Sequence, residues 1–151
     1  RTGIRLWQQI VGPFFVNSYV KAKFLTHDPD RIASYEVDPL IARPIASHIL
    51  LGLYDAAERV VADAAAITVP TQVLISGADW VVHQAPQRRF AKSLGSLVKE
   101  VHELPGFFHD TLGEKDRHLA LDRIRAFVQR CFAVQSAPVD VRSADRHGAK
   151  C

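Results

Sequence analysis

The sequence predicts an α/β fold, and three observations carry that expectation. A short apolar run, Thr71-Gln72-Val73-Leu74-Ile75, lies between Pro70 and Ser76-Gly77. A second run, Leu97 to Leu104, is closed by Pro105-Gly106. Helical periodicity separates the two runs and follows the second. Runs this short suit buried parallel strands. Strand, helix, strand, helix is the order of a parallel sheet with covering helices.

Residues 1–66 read as a helical lead with no convincing strand. Pro13 sets an early boundary, and Phe14 to Phe24 suits one short helix. Asp28-Pro29 is a pre-organised helix start, a capping carboxylate followed by proline at the first helical position. It opens a single short helix over Arg31 to Tyr35, ended before Pro39. Pro44 is expected to open the longest helix, in which Ile45, Ile49, Leu53, Ala56, Val60 and Ala64 recur at three- and four-residue steps. Residues 67–134 hold the two strands, a helix over 84–94 with Phe90, Ala91 and Leu94 turned inward, and a last helix from about Asp116. That helix aligns Leu121, Ile124, Phe127, Val128 and Cys131. Residues 135–151 have no periodicity and read as a polar tail or a linker to another domain.

Composition excludes several function classes. The chain has 151 residues, 48% of them hydrophobic and 23% charged, which is a globular balance. Its formal charge of +3 is spread among acids, as in Asp28–Arg31, Asp55–Arg59 and Asp122–Arg125. Nucleic-acid binding needs positive charge concentrated on one face, so no nucleic-acid partner is expected. No run approaches the roughly 18 to 20 apolar residues of a membrane span. The two cysteines, Cys131 and Cys151, form neither a disulfide framework nor a metal-ligand spacing. A reducing, cytoplasmic setting fits them, with no cofactor and no metal. The chain starts at Arg1 and contains no Met, which suggests a partial or trimmed sequence.

In open α/β sheets the reactive groups stand just beyond the carboxyl ends of the strands. The first strand empties into Ser76-Gly77-Ala78-Asp79-Trp80-Val81-Val82, and the second into Pro105-Gly106-Phe107-Phe108-His109-Asp110. Asp79 and His109 are therefore expected at one sheet edge. A carboxylate held there accepts the imidazole Nδ1–H and stabilises the imidazolium formed when histidine takes a proton from a nucleophile. The plain alternatives stay open: Asp79 as a turn residue, His83 as the base in place of His109, and Asp110 as a loop-structuring residue. A metal set of His83, Asp79 and His109 lacks any spacing signature.

The run Val69 to Val82 resembles the late strand and acid loop of α/β-hydrolases, and Leu104-Pro105-Gly106-Phe107-Phe108-His109 resembles their final strand and histidine loop. The nearest likeness is to monoacylglycerol lipase, lysophospholipase and serine aminopeptidase-like hydrolases, and among these to bacterial units fused to a class I methyltransferase. The resemblance covers roughly residues 11 to 146. It implies that the chain is the C-terminal part of an α/β-hydrolase, the last two parallel strands with their helices, preceded by a helical cap over residues 1–66. It also implies Asp79 as triad acid and His109 as general base. The implied reaction is hydrolysis of a small-molecule carboxylic ester, a lipophilic monoacyl ester such as a monoacylglycerol or lysophospholipid. Within the cap, Phe14, Phe15, Tyr19, Phe24, Leu50, Leu51 and Leu53 read either as an acyl pocket or as ordinary packing.

One departure matters. The family's nucleophile sits in Gly-x-Ser-x-Gly, in the chain order serine, acid, histidine, and no such motif occurs among the 151 residues. The nucleophile and oxyanion hole are thus expected before Arg1, and the chain by itself is expected to be inert. Two alternatives remain: amide or peptide hydrolysis on the same fold, and a non-catalytic binding module that keeps a hydrolase scaffold.

Overall fold

The structure, a computed structural model, describes residues 2–17 and 20–135. Tyr19, His147, Cys151 and all but the first residue of the expected tail lie outside the described residues. In chain order the elements are α1 (Thr2–Val11), β1 (Phe15–Asn17), a 3-10 turn (Ala22–Phe24), α2 (Pro29–Val37), β2 (Pro44–Ala46), α3 (Ser47–Ala62), a second 3-10 turn (Ala64–Ala66), β3 (Thr71–Ser76), α4 (Gln84–Ser93), β4 (Lys99–Leu104) and α5 (His118–Gln135).

β3 and β4 pair in parallel from Thr71↔Lys99 to Ser76↔Leu104, with α4 as the crossover. The register puts Gln72, Leu74 and Ser76 on the face they share with Glu100, His102 and Leu104. α5 covers that face: Leu104, Phe107 and Ala120 form its core, with Leu74 packed against them. Polar ties fix the same contact. Gln72 Nε2 donates to the Arg123 carbonyl, and Glu100 pairs with both Arg130 and His102. On the opposite face Ile75 is fully buried, α4 contributes buried Ala91, and Arg88 makes a two-bond ion pair with Glu103. Helix α3 in turn packs on α4. α5 thus lies on one face of the pair and α4 on the other, both packed on β3, while Lys99, Val101 and Glu103 of β4 stay exposed.

Four expectations for the lead are corrected. The segment 14–24 is not a helix; it forms β1 and a 3-10 turn. Pro44 does not open a helix but begins β2, which pairs antiparallel with β1 (Phe15↔Ala46, Asn17↔Pro44), so the lead does contain strands. Proline is tolerated there because it begins a short edge strand and needs no ladder donor. Ser47 then starts α3: its hydroxyl accepts the Phe14 N–H while its own N–H donates to the Phe14 carbonyl. The longest helix is α5, at 18 residues, against 16 in α3. Finally, α3 buries Ser47 and Leu51, leaving Ile49, Leu53 and Val60 of the expected stripe exposed.

The start of α2 is as expected, with the Asp28 carboxylate accepting the Asp30 and Arg31 amides and Pro29 in the first turn. Its ion pairs are not the local ones the sequence suggests. Asp28 pairs with Arg117 and Arg31 with Asp110, both partners lying in the loop that precedes α5. No helix among the described residues is long and apolar enough to cross a membrane.

Candidate active site

Two loops leave the carboxyl ends of β3 and β4 and are bonded to each other. Gly77 N donates to the Leu104 carbonyl (2.9 Å) and Ala78 N to the Phe107 carbonyl (2.9 Å), so the strand ladder continues into the loops. A Cβ on Gly77 would stand 2.9 Å from the Leu104 oxygen, too close for any other residue without displacement. The second loop turns at Pro105-Gly106. Gly106 adopts φ +79°, and Phe107 N donates to the Leu104 carbonyl. Proline followed by a positive-φ glycine is the pattern of a type II turn.

Asp79 sits at the turn of the first loop with its side chain 5% exposed. Its Oδ1 accepts the amides of Val81 (2.7 Å) and Val82 (3.0 Å), an Asx turn that fixes the carboxylate locally. Its Oδ2 lies 3.0 Å from Nδ1 of His109. Burial pushes the Asp79 carboxyl up. The His109 hydrogen bond, then the Val82 and Val81 amides, outweigh that and hold it below the ordinary carboxylate range. An ionised carboxylate can only accept, so Nδ1 must carry the hydrogen, and Nε2 is the nitrogen left to exchange a proton. The His109 side chain is 39% exposed, so the imidazole is half-open to solvent. A cleft of about 170 Å³ lies over the pair, lined by Leu74, Ser76, Asp79, Val82, Gln87, His109 and Thr111.

Around the pair, the buried Ser76 hydroxyl meets the Thr111 hydroxyl at 2.7 Å, and Thr111 N donates to the His109 carbonyl. Gln84, in the first turn of α4, donates its side-chain amide to the Ser76 and Gly77 carbonyls. A small apolar cavity of about 170 Å³, lined by Val20, Phe24, Trp80 and Val81, adjoins the acid loop, and Trp80 is 75% exposed. Of the aromatic and leucine residues singled out in the lead, Phe24 lines this cavity, Leu51 is buried, and Phe15 and Leu53 are exposed.

The other sequence candidates lie elsewhere. His83 is exposed at the N-cap of α4, and Asp110 accepts from Gly113 N and Arg31, which structures its loop. Among the described residues, no group of three or more His, Cys, Asp or Glu side chains is placed to hold a metal ion. Sequence reasoning missed Glu114. Its carboxylate is 3% exposed and accepts from the backbone of His27 (3.0 Å), Phe108 (2.8 Å) and Lys115 (3.2 Å), and from His27 Nδ1 (2.9 Å). Burial again raises its carboxyl, and the Phe108 and His27 amides with the His27 ring bring it below the ordinary range. No spacing signal in the sequence joins Glu114 to His27.

Against known proteins, a family model described as Serine aminopeptidase, S33 matches residues 1–116. An uncharacterized protein of Escherichia coli (strain K12), YnbC, is 52% identical over 148 residues, which is 98% of this chain and 25% of that protein. The monoacylglycerol lipase of Paleococcus ferrophilus superposes with a TM-score of 0.74 at 22% identity, covering 87% of this chain and 51% of the lipase. A soluble variant of monoglyceride lipase from Saccharomyces cerevisiae, solved with a substrate analog, gives 0.72 at 13% identity, covering 86% and 48%. At these identities the two lipases speak for the fold alone: the chain has the architecture of part of an α/β-hydrolase. It spans a quarter of the curated relative's length and about half of each lipase chain.

Proposed function

The chain belongs to the serine aminopeptidase family of α/β-hydrolases, and on that premise we propose that Asp79 and His109 are the acid and general base of a serine-hydrolase triad. The observation that carries this reading is the 3.0 Å bond between a nearly buried, ionised Asp79 and His109 Nδ1, with the imidazole itself half-open. In this reading residues 1–66 are the cap, residues 67–134 the C-terminal part of the hydrolase core, and residues from 135 a tail or linker toward a fused or partner domain. The serine and its oxyanion hole come from another part of a cytoplasmic gene product.

In this reading the chemistry is that of a serine hydrolase. His109 Nε2 takes the serine proton as the serine oxygen attacks the ester carbonyl, and Asp79 stabilises the imidazolium through Nδ1–H. The tetrahedral intermediate collapses, Nε2–H passes its proton to the departing alcohol, and an acyl-serine remains. Water then gives one proton to Nε2 while its hydroxyl oxygen bonds the acyl carbon; this second tetrahedral intermediate collapses, the serine oxygen leaves and takes the proton back from Nε2, and the acid is released. The substrate of this reading is a lipophilic monoacyl ester. Its supports are the likeness of fold to proteins described as monoacylglycerol lipases and the apolar cavity beside Asp79. The family's description supports a second reading, release of a small N-terminal residue from a peptide.

The test is to assay the complete gene product with monoacylglycerols and with aminoacyl amides, as wild type and as His109→Ala. Ester turnover that vanishes in the variant is the expected result. Preference for the amides would favour the second reading, and turnover untouched by the substitution would remove His109 from the mechanism.

A further inference from the structure

His109 lies between two residues that are both held by the segment leading into α2. After it, Asp110 N donates to the Leu25 carbonyl at 2.8 Å. Before it, Phe108 N donates to Glu114 at 2.8 Å, and the Phe108 ring stacks on the His27 ring with centroids 3.8 Å apart. His27 is bound to the same carboxylate through its own amide and its Nδ1, and Thr26 Oγ1 donates to the Gly113 carbonyl at 2.8 Å. Glu114 is thus the point at which the histidine loop and the lead meet.

We propose that Glu114 is a positioning residue for His109, acting through Phe108 and His27. The proposal rests on the reading of Asp79 and His109 as a catalytic pair and adds the group that sets their distance. Burying a carboxylate is unfavourable unless it is fully hydrogen-bonded. Here the desolvation is offset by three amides and an imidazole, and charge-assisted bonds of this kind are short and directional. A loop of polar residues alone would leave His109 free to drift. A carboxylate bonded to the preceding residue leaves little such freedom, and a site held only to within an ångström loses much of its activity. The other charged groups nearby are engaged elsewhere. Arg117 pairs with Asp28 and reaches Glu114 only at its backbone carbonyl, Arg31 pairs with Asp110, and Lys115 contacts the carboxylate through its amide.

Two variants and two measurements test this. Glu114→Gln keeps the side-chain volume but turns an NH2 donor toward amide donors. His27→Phe keeps the stacking surface and the backbone N–H and removes only the ring donor. In the complete gene product, Glu114→Gln is expected to lower kcat by about 10²-fold with KM little changed, the size of a misplacement of about 1 Å. His27→Phe should lower kcat about fivefold, the scale of one lost hydrogen bond. In the complete gene product, nitrogen-15 NMR of labelled histidine reads the His109 Nδ1–H shared with Asp79 without any turnover. Both variants should weaken that signal and raise the share of the Nε2–H tautomer. An unchanged His109 tautomer together with kcat within about twofold of wild type would overturn the proposal. So would a fall in kcat with the tautomer unmoved, because Glu114 would then act elsewhere. Should Glu114→Gln fail to fold, His27→Phe decides by the same criteria. If Asp79→Asn left turnover intact, the catalytic reading would fail, while the NMR comparison would still judge whether Glu114 sets the Asp79–His109 contact.

Discussion

The two loops that meet at the Asp79–His109 bond are held in opposite ways. Beyond the two bonds it shares with the histidine loop, the acid loop is fixed by its own neighbours: Asp79 binds the amides two and three residues on, and Gln84 closes back on Ser76 and Gly77. The histidine loop is fixed from far away. Leu25, Thr26, His27, Asp28 and Arg31 hold Phe108, Asp110, Gly113, Glu114 and Arg117 across separations of 79 to 89 residues. One half of the pair is therefore organised by local sequence. The other half is organised by tertiary structure, and its precision depends on the lead.

The largest expected effect tests what the two loops jointly produce. Asp79→Asn retains Oδ1 for the Val81 and Val82 amides, so the acid loop should keep its shape by hydrogen exchange. It presents the wrong partner to His109, and kcat of the complete gene product should fall by about 10⁴-fold, the scale of a wrong imidazole tautomer. Loss of protection at Val81 and Val82 would mean that the turn needs the charge.

The next effect separates local from distant anchoring. Glu114→Ala strands three backbone donors in a buried site and should destabilise the chain by roughly 3 kcal/mol in urea unfolding. Hydrogen exchange should rise at both His27 and Phe108. By contrast, Asp79→Ala should raise exchange at Val81 and Val82 alone. If Glu114→Ala loosened only one of the two segments, Glu114 would not be the clamp that joins the histidine loop to the lead.

A third test uses pH. Asp79 and Glu114 are both held below the ordinary carboxylate range, so each binds its proton more weakly when folded than when unfolded. Their stabilisation is complete above the unfolded value, about 4.3 for Glu, and is lost as pH falls through the lower folded values. The contribution of these two carboxylates to the urea midpoint should therefore be flat above about pH 5 and decline below it. Glu114→Gln should flatten part of that decline. The smallest effect belongs to Arg31→Gln: Arg31 is exposed and Asp110 is half-buried at the surface, so the pair is solvent-screened and the urea midpoint should stay within error of wild type.

The same division explains what was legible in the sequence. The parallel pair, its crossover helix, the final helix and the Asp28-Pro29 start are local patterns of period and capping, and they stand close to where the residues indicate. The two loops at one edge followed from the strand order, because parallel strands must send their carboxyl ends the same way. β1 and β2 were not legible, since each is three residues long and exists only by pairing with the other across the intervening lead. Phe14-Phe15-Val16 suits a strand as well as a helix when read alone. The exposed Ile49, Leu53 and Val60 show the limit of periodicity, which marks an apolar face without saying what it meets. Glu114 was invisible for the same reason as the ion pairs of Asp28 and Arg31: a polar residue in a loop carries no period, and its partner lies more than half the chain away.

The distant anchoring also has a consequence for the order in which the molecule is made. During synthesis Leu25, Thr26 and His27 emerge well before the residues that satisfy them, and nothing local replaces Gly113 or Glu114. β3, α4 and β4 span about 34 residues and can assemble by themselves, whereas the clamp must close a loop of 87 residues between Thr26 and Gly113. Closing so long a loop is entropically unfavourable, and contacts of that range form late. The bonds that Glu114 makes to His27 and Phe108 are thus expected to close after the β3–β4 pair has formed, so that Phe108 gains this anchor late in folding.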